Sequence, residues 1–158
     1  MSETTKKQLL DNLIASQNRL YALLEIVADD QDWQPAPAEW SFRYIAAHLA
    51  TVDQDCYRDR VIRISAGENP FFEAYFNTGW DFSQFDLRDS LLAWKATRKE
   101  IFELVDALPE EKWMLTGTHA TEGRITVLDV LRMMSDHDQE HIRELEPMLG
   151  EYKKNVQS

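Results

Sequence analysis

Four long stretches of this chain carry apolar residues every three or four positions, with only five glycines and five prolines to interrupt them, and that spacing confines the fold to packed helices. The first stretch sets Leu9, Leu10, Leu13, Ile14, Gln17, Leu20, Tyr21, Leu24 and Val27 on one face. It predicts a helix over about 4–28, opened by polar Ser2 to Thr5 and ended before Pro35 and Pro37. A second helix, over about 41–66, takes Ser41 as its N-cap, carries Ile45, His48, Leu49, Val52 and Cys56 on its stripe, and meets a left-handed stop at Gly67. Asp86 and Asp89 form a capping pair for the third, whose Leu87, Leu91, Trp94, Arg98, Ile101, Val105 and Leu108 run up to Pro109. Thr126 and Asp129 repeat that pattern ahead of Val130, Met134, His137, His141, Leu145 and Met148. Gly150 is the expected end of this fourth helix, and Pro147 could end it sooner.

The segment from Gly67 to Phe85 is longer than the two to eight residues that usually join antiparallel helices. Extended at up to ~3.3 Å per residue, it can run the ~38 Å of a 25-residue helix, which lets the third helix start at the same end as the second. The predicted fold is all-α, a four-helix bundle ordered up, down, down, up with a long crossover between helices 2 and 3. The crossover aromatics Phe71, Phe72, Tyr75, Phe76, Trp80, Phe82 and Phe85 are expected to pack on the bundle wall, since so apolar a segment makes a poor free linker. One domain over residues 1–158 is expected, large enough to build its core without staples.

Seventeen Lys and Arg against 28 Asp and Glu give a formal charge of −11, which repels a polyanion unless the cations cluster. Arg58, Arg60 and Arg63 come nearest to a cluster, but they alternate with Asp55 and Asp59 as on a solvated face. Nucleic acid is therefore not an expected partner. No window of about 18 apolar residues could span a bilayer, and the one cysteine, Cys56, cannot form a disulfide within the chain. The expected location is cytoplasmic, without membrane insertion, and the expected guest is a small ligand or a cation.

His137 and His141, in HDQEH, are spaced i, i+4 on the inward stripe of the fourth helix, where an unpartnered imidazole costs desolvation energy. His48 lies on the buried stripe of the second helix. At 1.5 Å of rise per residue His48 is ~10 Å from the start of its helix, and His141 and His137 are ~12 and ~18 Å from the end of theirs. Antiparallel helices 2 and 4 bring all three to similar height. Neutral imidazoles facing one another suit a divalent transition metal, and three of them leave at least one position for water, hydroxide or a substrate atom. Such a centre would attract an anion, of which a thiolate is the softest common kind. From the residues alone, the alternative of core or surface histidines that merely hydrogen-bond stays open.

The segment WSFRYIAAHL, Trp40 to Leu49, followed by HDQEH, resembles the DinB/YfiT-like superfamily over essentially all four helices. The resemblance implies an up-down-down-up bundle whose His, then His-x-x-x-His, bind a metal, which assigns that role to His48, His137 and His141. It also implies a small thiol bound as thiolate, because relatives include S-transferases using thiols such as bacillithiol, a mycothiol-dependent isomerase and domains of thiol-histidine biosynthetic enzymes.

Neighbouring groups carry weaker signals. Asp138 stands where HExxH zincins carry a general base, but it is a methylene shorter, and a solvated helix face is the preferred reading. Glu140 and Glu144 could orient a ligand imidazole or be surface acids. His119 is expected in an exposed loop rather than as a fourth ligand, and Cys56, ~12 Å along the helix from His48, as a core filler. Trp40 is expected to staple the helix entry rather than line a pocket mouth. Arg98 could hold a substrate carboxylate, though snorkelling to the rim is the commoner outcome.

The expected function is a metal-dependent enzyme, with zinc or nickel on the three histidines activating a small thiol or water, S-transferase-like or hydrolytic. The rivals are a binding module for an anionic small molecule and a purely structural bundle. The exposed side of helix 1 or the aromatic crossover could serve a homodimer.

Overall fold

The computed structural model describes residues 3–157 and is built from the helices that the apolar spacing predicts. Ser2, expected among the residues opening the first helix, lies outside the described residues. The helices are α1 (Glu3–Glu25), α2 (Phe42–Val52), α3 (Arg58–Ser65), α4 (Leu87–Asp106) and α5 (Val127–Gln157). A π-helical turn, Asp53–Tyr57, joins α2 to α3, so these two together form the second bundle helix. The expected caps are present. The Ser41 hydroxyl accepts from the Tyr44 N–H at 3.3 Å, and Asp86 from the Asp89 N–H at 3.2 Å. At the start of α5, Asp129 accepts from the Thr126 N–H while the Thr126 hydroxyl accepts from the Asp129 N–H.

Side-chain pairings fix the direction of each helix. Ser16 meets Asp138 and Arg19 meets Glu146, so α1 and α5 run parallel. Lys6 reaches the Asp106 carbonyl while Lys95 lies over the Tyr21 ring, so α1 and α4 are antiparallel. Arg43 donates to the Phe85 carbonyl, Trp94 to Asp53 and Arg58 to Glu100, which sets α4 parallel to α2 and α3. His48 touches His137 and Arg60 touches Met133, so α5 opposes that helix. The order is up, down, down, up, with the long crossover between the two parallel members.

Two apolar clusters fill the bundle, one around Leu20, Leu24, Phe42 and Trp94, the other around Leu13, Ile64, Ile101 and Met134. On every helix a polar layer separates them. It contains Ser16, Asp53, Arg98 and Asp138, with Asp53, Arg98 and Asp138 all 0% exposed.

The fourth helix departs from expectation by neither breaking at Pro147 nor stopping at Gly150. Tyr152 explains the extra turns. Its ring packs edge-on against Trp33 and Phe42, with centroids 5.5 and 5.6 Å apart, and its hydroxyl bonds to Asp30. That packing outweighs a glycine cost of about 1 kcal/mol, and the exposed face lets water take up the carbonyl that Pro147 leaves free. The crossover is also more open than expected. Phe72 and Phe82 are buried, but Phe71, Phe76, Trp80 and Phe85 are exposed.

A small sheet that the helical reading did not contain closes one side of the bundle. β1 (Phe71–Phe72) pairs parallel with β2 (Thr116–His119), which pairs antiparallel with β3 (Gly123–Thr126). Gly123, at φ 76°, takes the left-handed position that a three-residue hairpin loop requires. Gly117 lets β1 approach, because a Cβ there would lie 2.9 Å from Phe72 Cε2 and 3.0 Å from the Pro70 carbonyl. Gly117→Ala is therefore expected to push β1 off the sheet and lose about 1–3 kcal/mol of stability, measured by urea unfolding; an unchanged midpoint would show that β1 adjusts freely.

Candidate metal centre

The capped starts of α2 and α5, on antiparallel helices, bring the three sequence-predicted histidines together. His48 Nε2 lies 2.9 Å from His137 Nε2, which lies 3.0 Å from His141 Nε2. Each residue offers one nitrogen to a group whose ligand atoms all fall within 4.8 Å of one another, the described residues' one such cluster. The expected height match survives the longer α5 because its added turns project past the start of α2, toward Trp33 and Asp30.

Hydrogen bonding fixes the state of His48. Thr51 donates its hydroxyl proton to the Ala47 carbonyl and accepts from the Asn77 amide at 2.7 Å, which turns Asn77 Oδ1 toward His48 Nδ1 at 2.6 Å. Nδ1 therefore carries the proton, and Nε2 presents a bare lone pair to the other two rings. Asn77 is 1% exposed and comes from the crossover, where no periodicity singled it out.

Protons alone do not satisfy this triangle. One N–H on His137 Nε2 could serve only one of its two neighbours, whereas a shared cation satisfies three lone pairs together. Nitrogens bound at ~2.0–2.1 Å to one ion stand about 2.9–3.4 Å apart, which matches the observed contacts. Burial is the main reason that His48 is lowered to about 4 and His137 to about 2. Both are neutral near pH 7, as metal ligation requires. An imidazole whose folded pKa lies below its unfolded value protonates first in the unfolded chain. The ion-free protein is therefore expected to lose stability as pH falls below 6.5, through about 4 for His48 and on toward about 2 for His137. Thermal melts between pH 8 and 4 check this, and flat melting temperatures below pH 6.5 would contradict it.

The rings border a cavity of about 490 Å³ that is also lined by Trp40, Tyr57, Arg60, Asn77 and His119. A larger groove of about 870 Å³ lies between α1 and α4, lined by lysine stems and apolar side chains, and gathers no ligating cluster.

Four neighbouring residues differ from expectation. Asp138 is not on a solvated face and cannot serve as a base. Both its oxygens accept from Arg98, at 2.6 and 2.9 Å, and Oδ2 also accepts from Ser16 at 2.5 Å. Arg98 does not snorkel to the rim but is wholly buried, its Nε donating to Asp53. Burial opposes its charge, and the two carboxylates overcome that and raise its pKa. Burial raises the pKa of Asp53, whose other oxygen has no hydrogen-bond partner. His119 lies in β2 rather than an exposed loop and is 7% exposed. Trp40 lines the cavity, its ring 4.9 Å from that of His48. Glu140 and Glu144 stand exposed at the rim, with Glu144 3.5 Å from His141 Nδ1. Cys56 is a buried wall residue whose thiol is pushed up to about 11, chiefly by burial.

Fold and histidine cluster together define a class, and the sequence agrees: the DinB superfamily profile matches residues 12–145, so the chain belongs to that superfamily. Among solved structures it is similar to YfiT from Bacillus subtilis, described as a probable metal-dependent hydrolase with an unusual four-helix bundle topology. The TM-score is 0.79 at 23% identity, over 95% of this chain and 90% of that one. No curated protein matches by sequence. Among the described residues no helix is long and apolar enough to cross a membrane.

Proposed function

We propose that His48, His137 and His141 hold one divalent transition metal, zinc or nickel, and that the chain is a metal-dependent enzyme acting on a small molecule in the adjoining cavity. The observation that carries this reading is the triangle of Nε2 atoms at 2.9 and 3.0 Å, with Asn77 holding His48 in the tautomer that ligation needs. The resemblance to YfiT, itself described as a probable metal-dependent hydrolase, supports it. A divalent ion there supplies Lewis acidity and makes water or a thiol nucleophilic near pH 7.

The chain's own residues set the conditions for that chemistry. The three neutral imidazoles leave the ion's charge uncancelled, which favours an anionic nucleophile. Trp40 and Tyr57 wall the cavity and limit water around the reacting atoms. Glu140 and Glu144, at the mouth, are the acids placed to take up a released proton. Water as nucleophile gives a hydrolase; a small thiol gives an S-transferase-like activity. A cytoplasmic location and a homodimer complete the reading.

Metal analysis of protein purified without a histidine tag tests it. The expected result is about one zinc or nickel per chain, with the ion-stripped protein regaining thermal stability on readdition. Substoichiometric metal together with a melting temperature indifferent to added ions would favour a bundle whose histidines merely pack.

A further inference from the structure

Among the described residues two arginines are buried, and their surroundings differ. Arg98, at 0% exposure, is matched by two carboxylates. Arg60, at 6%, has no carboxylate within ion-pair distance among the described residues. Its guanidinium makes a 3.4 Å contact to the Glu73 carbonyl, a 3.7 Å contact to the Met133 sulfur, and lies 5.4 Å from the Phe72 ring centroid. A buried cation with so little compensation is costly unless something else pairs with it. It lines the same cavity as the three histidines.

His119 supplies a second donor to that wall. Its Nδ1 accepts from the backbone N–H groups of Thr121 at 3.1 Å and Glu122 at 3.2 Å, so the ring proton sits on Nε2. No acceptor among the described residues meets that Nε2–H, although His119 borders the cavity. The sheet brings the two donors together. Phe72 is the register partner of His119, and Arg60 lies over the Phe72 ring.

We propose that Arg60 and His119 form an oxyanion subsite that takes the carboxylate of a small organic acid. A guanidinium edge and one imidazole N–H suit a planar, singly charged group. Met133, which Arg60 touches, precedes His137 by four residues, ~6 Å along α5. A guest held by its carboxylate therefore reaches the three rings through a few bonds. That this acid is the substrate rests on the function proposed above; the subsite does not depend on the metal.

The test is titration of ¹⁵N-labelled, ion-free protein with succinate, and separately with inorganic phosphate, reading the His119 side-chain nitrogen shifts and the dissociation constant. Succinate is expected to shift His119 Nε2 saturably. Arg60→Met should weaken binding about tenfold or more, with Arg60→Lys losing less and His119→Gln also weakened. The titration needs no ion, so failure of the metal reading and failure of this one are separable: protein that takes up no zinc yet shows the saturable His119 response keeps the subsite, and protein that takes up zinc without that response loses it. No saturable His119 response, phosphate bound there in preference to succinate, or Arg60→Met binding like wild type would each overturn the proposal. Should Arg60→Met not fold, Arg60→Lys and His119→Gln decide: unchanged affinity in both also overturns it.

Discussion

Arg98→Met, which removes one partner of a wholly buried ion-pair network, is expected to lose about 3–5 kcal/mol of folding stability. The guanidinium is the shared partner of Asp53 and Asp138, and all three side chains are at most 1% exposed. Without it two carboxylates face each other in a layer closed to bulk solvent, and at least one must protonate or draw water inward. The layer separates the two apolar clusters and ties α4 both to the π turn after α2 and to α5, so its failure loosens the whole bundle. Asp138 directly follows His137, so the variant should also bind metal more weakly at temperatures where it remains folded. Guanidinium chloride unfolding measures the first effect. Arg58→Met, which breaks a partly exposed pair with Glu100, is the control and should cost no more than about 1 kcal/mol. Adding Asp53→Asn and Asp138→Asn to Arg98→Met should recover part of the loss, because the penalty lies in the unpaired charges. Equal, small effects of Arg98→Met and Arg58→Met would show the buried network to be energetically idle.

His137→Ala should abolish stoichiometric metal binding. His137 is the middle ring, in contact with both of the others, and its removal leaves two donors instead of three. Asn77→Ala gives the graded counterpart. The three histidines remain, but His48 loses the acceptor that fixes its proton on Nδ1, and affinity should fall about 10–100-fold. Competition titration with a chromophoric chelator measures both, with circular dichroism confirming helical content. An His137→Ala variant that keeps wild-type affinity would move the ion elsewhere. An Asn77→Ala variant indistinguishable from wild type would mean that the Thr51–Asn77–His48 chain does not orient the ring.

The bundle was legible because helical burial repeats locally: each stripe, from Leu13 to Leu24 or from Val130 to Leu145, and each cap, Ser41, Asp86 and Thr126, declares itself within a few residues. The histidines were legible for the same reason, since His48, His137 and His141 fall on those stripes. What the periodicity could not show was pairing across the chain. Arg98 and Asp138 read as a snorkelling base and a surface acid because each looks polar on its own helix, and only their closeness in space offsets the cost of burying them. Asp53 was a further sign, because it stands four residues past Leu49 on the inward stripe of the second helix and is fully buried. The sheet was missed because its strands hold four residues or fewer and show no alternation, although Gly123 after the Ala120–Thr121–Glu122 loop was a usable hairpin signal. Asn77 had no local signal at all. Tyr152 overrode Pro147 and Gly150 through contacts with Trp33 and Phe42, which lie far off in sequence.

Anomalous diffraction from crystals of the metal-bound protein, recorded on both sides of the zinc and nickel absorption edges, tests the central claim most directly. The expected map has one strong peak about 2.0–2.2 Å from Nε2 of His48, His137 and His141, with a coordination position open to the cavity. A peak that excludes His48, or a metal-replete crystal with density only at surface carboxylates, would contradict it.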